Sequence, residues 1–99
     1  MKKYKVILLD EAIKDFTDAF NYYKEINAKL ANQFYIYTDL AIKDLKKNLH
    51  YQVRYDDFRM KIIKKFPFII HFRIDETNFR VLIYGVRNSY QNPKTFPKI

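Results

Sequence analysis

The stretch KKFPFIIHFRIDETNFRVLIYG, Lys64 to Gly85, decides the fold. Two apolar runs meet at the polar turn DETN. The first sets Phe68, Ile70, Phe72 and Ile74 against Ile69, His71 and Arg73. The second sets Phe79, Val81 and Ile83 against Arg80, Leu82 and Tyr84. A period of two marks strands that bury one face only. Just upstream, FRMKII repeats the pattern, with Phe58, Met60 and Ile62 against Arg59 and Lys61. The turns KKFP and DETN are short enough for an antiparallel meander of three strands. Pro67 gives up a ladder donor, so it belongs at a strand start or a bulge.

Upstream of the strands the period changes. Tyr4 to Leu9 is a short apolar run suited to a first strand. Asp10 stands where a helix N-cap is expected, followed by Glu11 in the first turn. Ala12, Phe16, Ala19, Phe20, Tyr23 and Ile26 then recur at helical spacing, which predicts an amphipathic helix over 11–25. Asn27 is suited both to stop that helix and to cap the next. Leu30, Phe34, Tyr37, Ala41, Leu45 and Leu49 predict a second helix over 28–48, and His50 ends it. So short a joint makes the pair an antiparallel helical hairpin.

The expected fold is α+β, in the order β-α-α-β-β-β. The hairpin packs on the apolar face of a twisted antiparallel sheet. On this reading the opposite, uncovered face carries Arg59, Lys61, His71, Arg73, Arg80 and Tyr84, mixed with Ile69 and Leu82. Such a surface suits a ligand that is both anionic and partly apolar.

Composition sets the bounds. The 99 residues form one domain, 1–99, long enough for a single modest core. There is no cysteine, which excludes thiol nucleophiles and zinc–thiolate sites. No carboxylate pair or metal constellation stands out: Asp56, Asp57, Asp75 and Glu76 read as turn residues. One glycine, Gly85, leaves no phosphate-cradling loop. No cofactor and no metal is expected. The N-terminal apolar run, Val6 to Leu9, is too short for a signal peptide or membrane span, so a cytoplasmic chain with no membrane partner is expected. The net charge is +8, which points to an anionic partner. Residues 1–50 hold nine Lys, no Arg and seven acids, whereas residues 51–99 hold ten basic residues and four acids. All five arginines, Arg54, Arg59, Arg73, Arg80 and Arg87, lie in the second half. Arginine's planar fork suits phosphate and carboxylate better than lysine does.

Three segments together resemble the RelE/ParE superfamily of toxins from bacterial type II toxin–antitoxin (plasmid stabilisation) modules. The opening strand leads into DEAIKDFTDAFNYY, similar to the family's helix with spaced alanines and a tyrosine pair. FRMKIIKKFPFIIHF resembles its arginine-bearing strand and Phe-Pro-aromatic turn. VLIYGVRNSYQNPKTF resembles its last strand and tail, with Asn92, Pro93 and Phe96 at the positions of the family's Asn/Asp-Pro and downstream tryptophan. The resemblance implies a compact toxin whose cognate antitoxin wraps it with a segment that is disordered when free. It also implies one of two targets: the ribosome and its mRNA, cleaved by a metal-independent mRNA interferase, or DNA gyrase, poisoned by a gyrase inhibitor. Arg59 matches the family's strand arginine, and Arg87 partly substitutes downstream. Where many members place histidine or arginine after the last strand, this chain has Asn88, with Tyr90 and Gln91 beyond it.

Attack by a ribose 2′-hydroxyl needs a base, an acid and a cation for the developing phosphorane charge. The candidate catalytic residues are His71, Arg59 and Tyr90. His71 has a side chain suited to proton transfer near neutrality. The candidate anion- or nucleic-acid-binding set is Arg59, Lys61, Arg73, Arg80, Tyr84 and Arg87. For each of these a solvated surface residue is the plain alternative. A non-catalytic nucleic-acid- or protein-binding module, a degenerate relative of the toxins, is the alternative for the whole chain.

Overall fold

The computed structural model describes residues 4–47, 53–90, 94, 96 and 97, with the side chains of residues 53 and 54 left aside. The elements run β1 (Lys5–Leu8), α1 (Asp10–Ile26), α2 (Ala28–Lys47), β2 (Val53–Tyr55), β3 (Phe58–Ile62), β4 (Phe68–Asp75) and β5 (Arg80–Asn88). The fold is α+β, a helical hairpin against one face of a sheet. Leu49 and His50 lie outside the described residues.

The sheet order is β1-β5-β4-β3-β2. Strands β3 to β5 form the expected meander. β1 instead joins β5 in parallel, Lys5 opposite Arg80 through Leu8 opposite Ile83, so the sheet is mixed rather than antiparallel throughout. The hairpin supplies the long connection that a parallel pairing requires. The short strand β2 is an addition to the predicted order. Asp56 and Asp57, with φ of 40° and 68°, link it to β3 through a tight two-residue turn. Positive φ at both central residues matches the twist of a two-residue hairpin.

Asn27 performs both predicted tasks. Its backbone N–H donates to the Tyr23 carbonyl at 2.9 Å, closing α1. Its Oδ1 accepts from the Leu30 N–H at 2.8 Å, capping α2. Asp10 is not the N-cap: Leu9 holds that place without a side-chain bond, and Asp10 and Glu11 sit in the first turn, favourable to the helix dipole.

Core packing follows the helical stripes. Ala12, Ala19 and Ala31 are buried and let the helices approach closely. Phe34 is fully buried, and its ring centroid lies 5.4 Å from Phe16, 5.2 Å from Phe66 and 5.4 Å from Phe68. Ile70, Phe72, Val81, Ile83 and Val86 form the sheet's side of the core. Ile26, expected on the buried stripe, is largely exposed at the end of α1. Pro67 sits just before β4, its carbonyl accepting from the Ser89 N–H at 2.8 Å.

Candidate functional site

Cross-strand register fixes which side chains share a face, because residues directly opposite one another point the same way. In β4 and β5 the expected segregation holds. Phe72, Ile83, Val81 and Ile74 face the helices, and Arg73, Arg80, Leu82 and Tyr84 face away. In β3 it is reversed. Arg59 lies opposite Phe72 and Lys61 opposite Ile70, which puts both on the helix side. Lys61 confirms this by donating to Asp44 of α2 at 2.6 Å. Phe58 and Met60 therefore face the side that was expected to be bare and basic, whereas Ile62, the last residue of β3, borders a cleft with Leu40 of α2.

That side has a small aromatic core of its own. Phe58 is fully buried. It stacks on Tyr55, with centroids 4.8 Å apart, and meets the edge of Tyr84 at 4.9 Å. Arg73 lies over both rings, 6.0 Å from Phe58 and 5.9 Å from Tyr84, and donates from Nη1 to the Tyr84 hydroxyl at 3.2 Å. Asp57 approaches the same guanidinium at 3.9 Å.

His71 is at the centre of this face and has no solvent exposure. Expected on an uncovered strand surface, it is roofed by Phe96, 4.7 Å away, and by Tyr55 at 5.9 Å. The Tyr55 hydroxyl lies 2.9 Å from His71 Nδ1 and donates to the Pro97 carbonyl at 3.2 Å. A phenol has one proton, so both contacts are met when Nδ1 carries the imidazole hydrogen. Nε2 is then the bare nitrogen; it is buried and has no hydrogen-bond partner among the described residues. Burial first, then the nearby Arg87 charge, lowers the His71 pKa to about 4. Burial raises the Tyr55 pKa to about 12. Gly85, opposite His71, makes room for the roof: a Cβ there would come within 2.7 Å of Pro97 Cγ.

The remaining candidate cations are held by carboxylates. Arg80 donates to Asp75 from Nη2 at 2.7 Å and from Nε at 3.2 Å. Bonds from the Asn78 side chain, then from Arg80, hold Asp75 down at about 2. Arg87 bonds Glu11, and its Nε lies 2.8 Å from Asp15 Oδ2 as a charge contact rather than a hydrogen bond. Asp15 Oδ2 also accepts from the Val86 N–H at 3.0 Å, tying α1 to β5. Burial outweighs both contacts and leaves the Asp15 pKa raised. Tyr90 is 88% exposed and Asn88 is exposed; Gln91, Asn92 and Pro93 lie outside the described residues.

His71, Arg59 and Tyr90 are thus not brought together: one is sealed under the tail, one springs from the opposite sheet face and lines a cleft with Arg73, Asp75 and Leu82, and one is in solvent. Sequence reasoning missed Tyr55 and Pro97, and it named Phe96 only as a tail residue of the family resemblance, not as the cover of His71. None of the three belongs to a periodic segment, so none carries a patterning signal. Among the described residues no group of three or more His, Asp or Glu could hold a metal ion. No helix there is long and apolar enough to cross a membrane.

No protein-family model and no curated protein matches the chain. Among solved structures, a chain of the chromosomal ParDE TA system from P. aeruginosa is similar, with a TM-score of 0.75 and 13% identity. The match covers 86% of this chain and 95% of that one. At that identity the likeness is one of fold, and it extends over nearly the whole domain described above.

Proposed function

We propose that the chain is the toxin of a type II toxin–antitoxin pair, neutralised by a cognate antitoxin, and that it arrests growth by engaging DNA gyrase rather than by cutting mRNA. The fold shared with a ParDE chain supports the toxin reading. The choice of target rests on one observation: His71 is sealed, with Nε2 buried. A 2′-hydroxyl cannot reach a base under Phe96 and Pro97. What the open face offers instead is a shaped surface of Tyr84, Leu82 and Arg73 for a protein or nucleoprotein target.

The test is induced expression with and without the product of the neighbouring gene. Growth arrest, gyrase-dependent DNA breaks and intact transcripts are expected, with rescue by the neighbour. New transcript ends that vanish in His71→Ala would overturn the choice of target. Harmless expression of the folded wild-type chain would overturn the toxin reading itself and favour a non-catalytic binding module.

A further inference from the structure

The helical hairpin carries a second surface, away from the aromatic face of the sheet. On α2, Ile36 and Leu40 stand one turn apart and are about half exposed. Ile62, at the end of β3, is 71% exposed. Between Leu40 and Ile62 runs a cleft of about 420 Å³ with Tyr37 and Ala41 among its lining and Lys61 and Lys64 on its wall. Single exposed apolar side chains are ordinary, but large ones converging on one cleft mark a contact surface.

The charge around the cleft has one sign in excess. Lys43 and Lys47 continue the α2 stripe beyond Leu40, three and seven residues on. Lys65 lies 5.3 Å from the Tyr37 ring, beside Lys64 in the turn after β3. Against these lysines and Lys61 stand two aspartates, Asp39 bonded to Lys43 at 2.9 Å and Asp44 bonded to Lys61 at 2.6 Å. An apolar floor with a basic rim, walled by a helix, complements a second helix whose apolar stripe is flanked by acids.

We propose that the cleft between α2 and β3 seats an acidic, amphipathic helix of the neutralising partner. Its apolar stripe rests on Ile36, Leu40 and Ile62, and its carboxylates meet Lys43, Lys47, Lys64 and Lys65. This rests on the toxin reading above and gives that partner a place apart from the tail-covered sheet face. Neutralisation then needs no contact with the surface that engages the target.

The test uses the full chain and the product of the neighbouring gene, with Leu40→Asp/Ile62→Asp as the main variant. Both positions are more than half exposed, so the core is untouched. Tyr22→Asp, equally exposed on α1, is the control. The double variant is expected to stay toxic, to escape rescue, and to bind the purified neighbour at least about tenfold more weakly. Lys64→Glu/Lys65→Glu is expected to weaken binding most at low salt. Wild-type affinity in the double variant would overturn the proposal while leaving the toxin reading intact. A wild-type chain that does not bind the neighbour would overturn that reading first. Dimerisation of the free chain that the same double variant abolishes would assign the cleft to a second copy, and would also overturn it.

Discussion

At the scale of single residues, His71 gives the sharpest expectation. An imidazole in the unfolded chain takes up its proton near 6.5, whereas the folded chain holds it off until about 4. The folded value is the lower one, so the stability that neutral His71 allows is fully present above pH 6.5 and is lost as pH falls. Between those two values the unfolded state binds more protons, and folding loses up to about 3 kcal/mol before the curve levels off. An imidazole titration followed by NMR checks this directly; a midpoint near 6.5 would put His71 in water and end the account of a sealed ring. The same titration reads the roof. In Gly85→Ala the added Cβ meets Pro97 Cγ at 2.7 Å, so the tail is expected to lift and the His71 midpoint to climb toward 6.5. Position 71 was legible as sharing a face with Arg73, because alternation fixes parity. Its cover was not, since Phe96 and Pro97 lie in a tail with no period, and packing of such a segment is decided by shape alone.

At the scale of elements, one residue joins two helices, its backbone closing α1 and its side chain capping α2, and removing the side chain should be felt at the start of α2. Asn27→Ala deletes the acceptor for the Leu30 N–H, leaving an orphan donor at the start of α2. The expected loss is about 1 kcal/mol, read as a fall in Tm of about 4–8 °C; an unchanged Tm would mean that the cap is not maintained in solution. This joint was legible because capping is local chemistry, written in the residue itself. β3 was misread for the opposite reason. Its alternation is real, but a period of two says only that the faces differ, not which face is core. Phe58 is buried on the far side because Tyr55 and Tyr84 pack against it there, and Lys61 turns inward because Asp44 of α2 waits at 2.6 Å. Both deciding partners come from elsewhere in the chain, outside the window that carries the pattern. The parallel pairing of β1 with β5 was hidden similarly, since four residues of apolar sequence carry no direction.

At the scale of the whole molecule, a net charge of +8 suggests indiscriminate binding to nucleic acid, but its distribution divides the cations into two kinds. Arg80 and Arg87 are occupied by Asp75, Glu11 and Asp15, and their energy goes into holding strands and helix together. Lys64 and Lys65 stand exposed in a turn. Counterion release depends on cations that reach phosphates, so the two kinds should separate in a salt titration. With single-stranded RNA, Arg80→Gln is expected to leave both the affinity and the salt slope within about twofold of wild type, whereas Lys64→Gln/Lys65→Gln should reduce the slope by about 2, one per lost phosphate contact. A slope that falls with Arg80→Gln would mean that its bond to Asp75 opens for RNA, and the open face would regain the anion-binding role that the sequence alone suggested. If the lysines carry the slope, RNA binds where the acidic helix is expected to dock, and the two should compete.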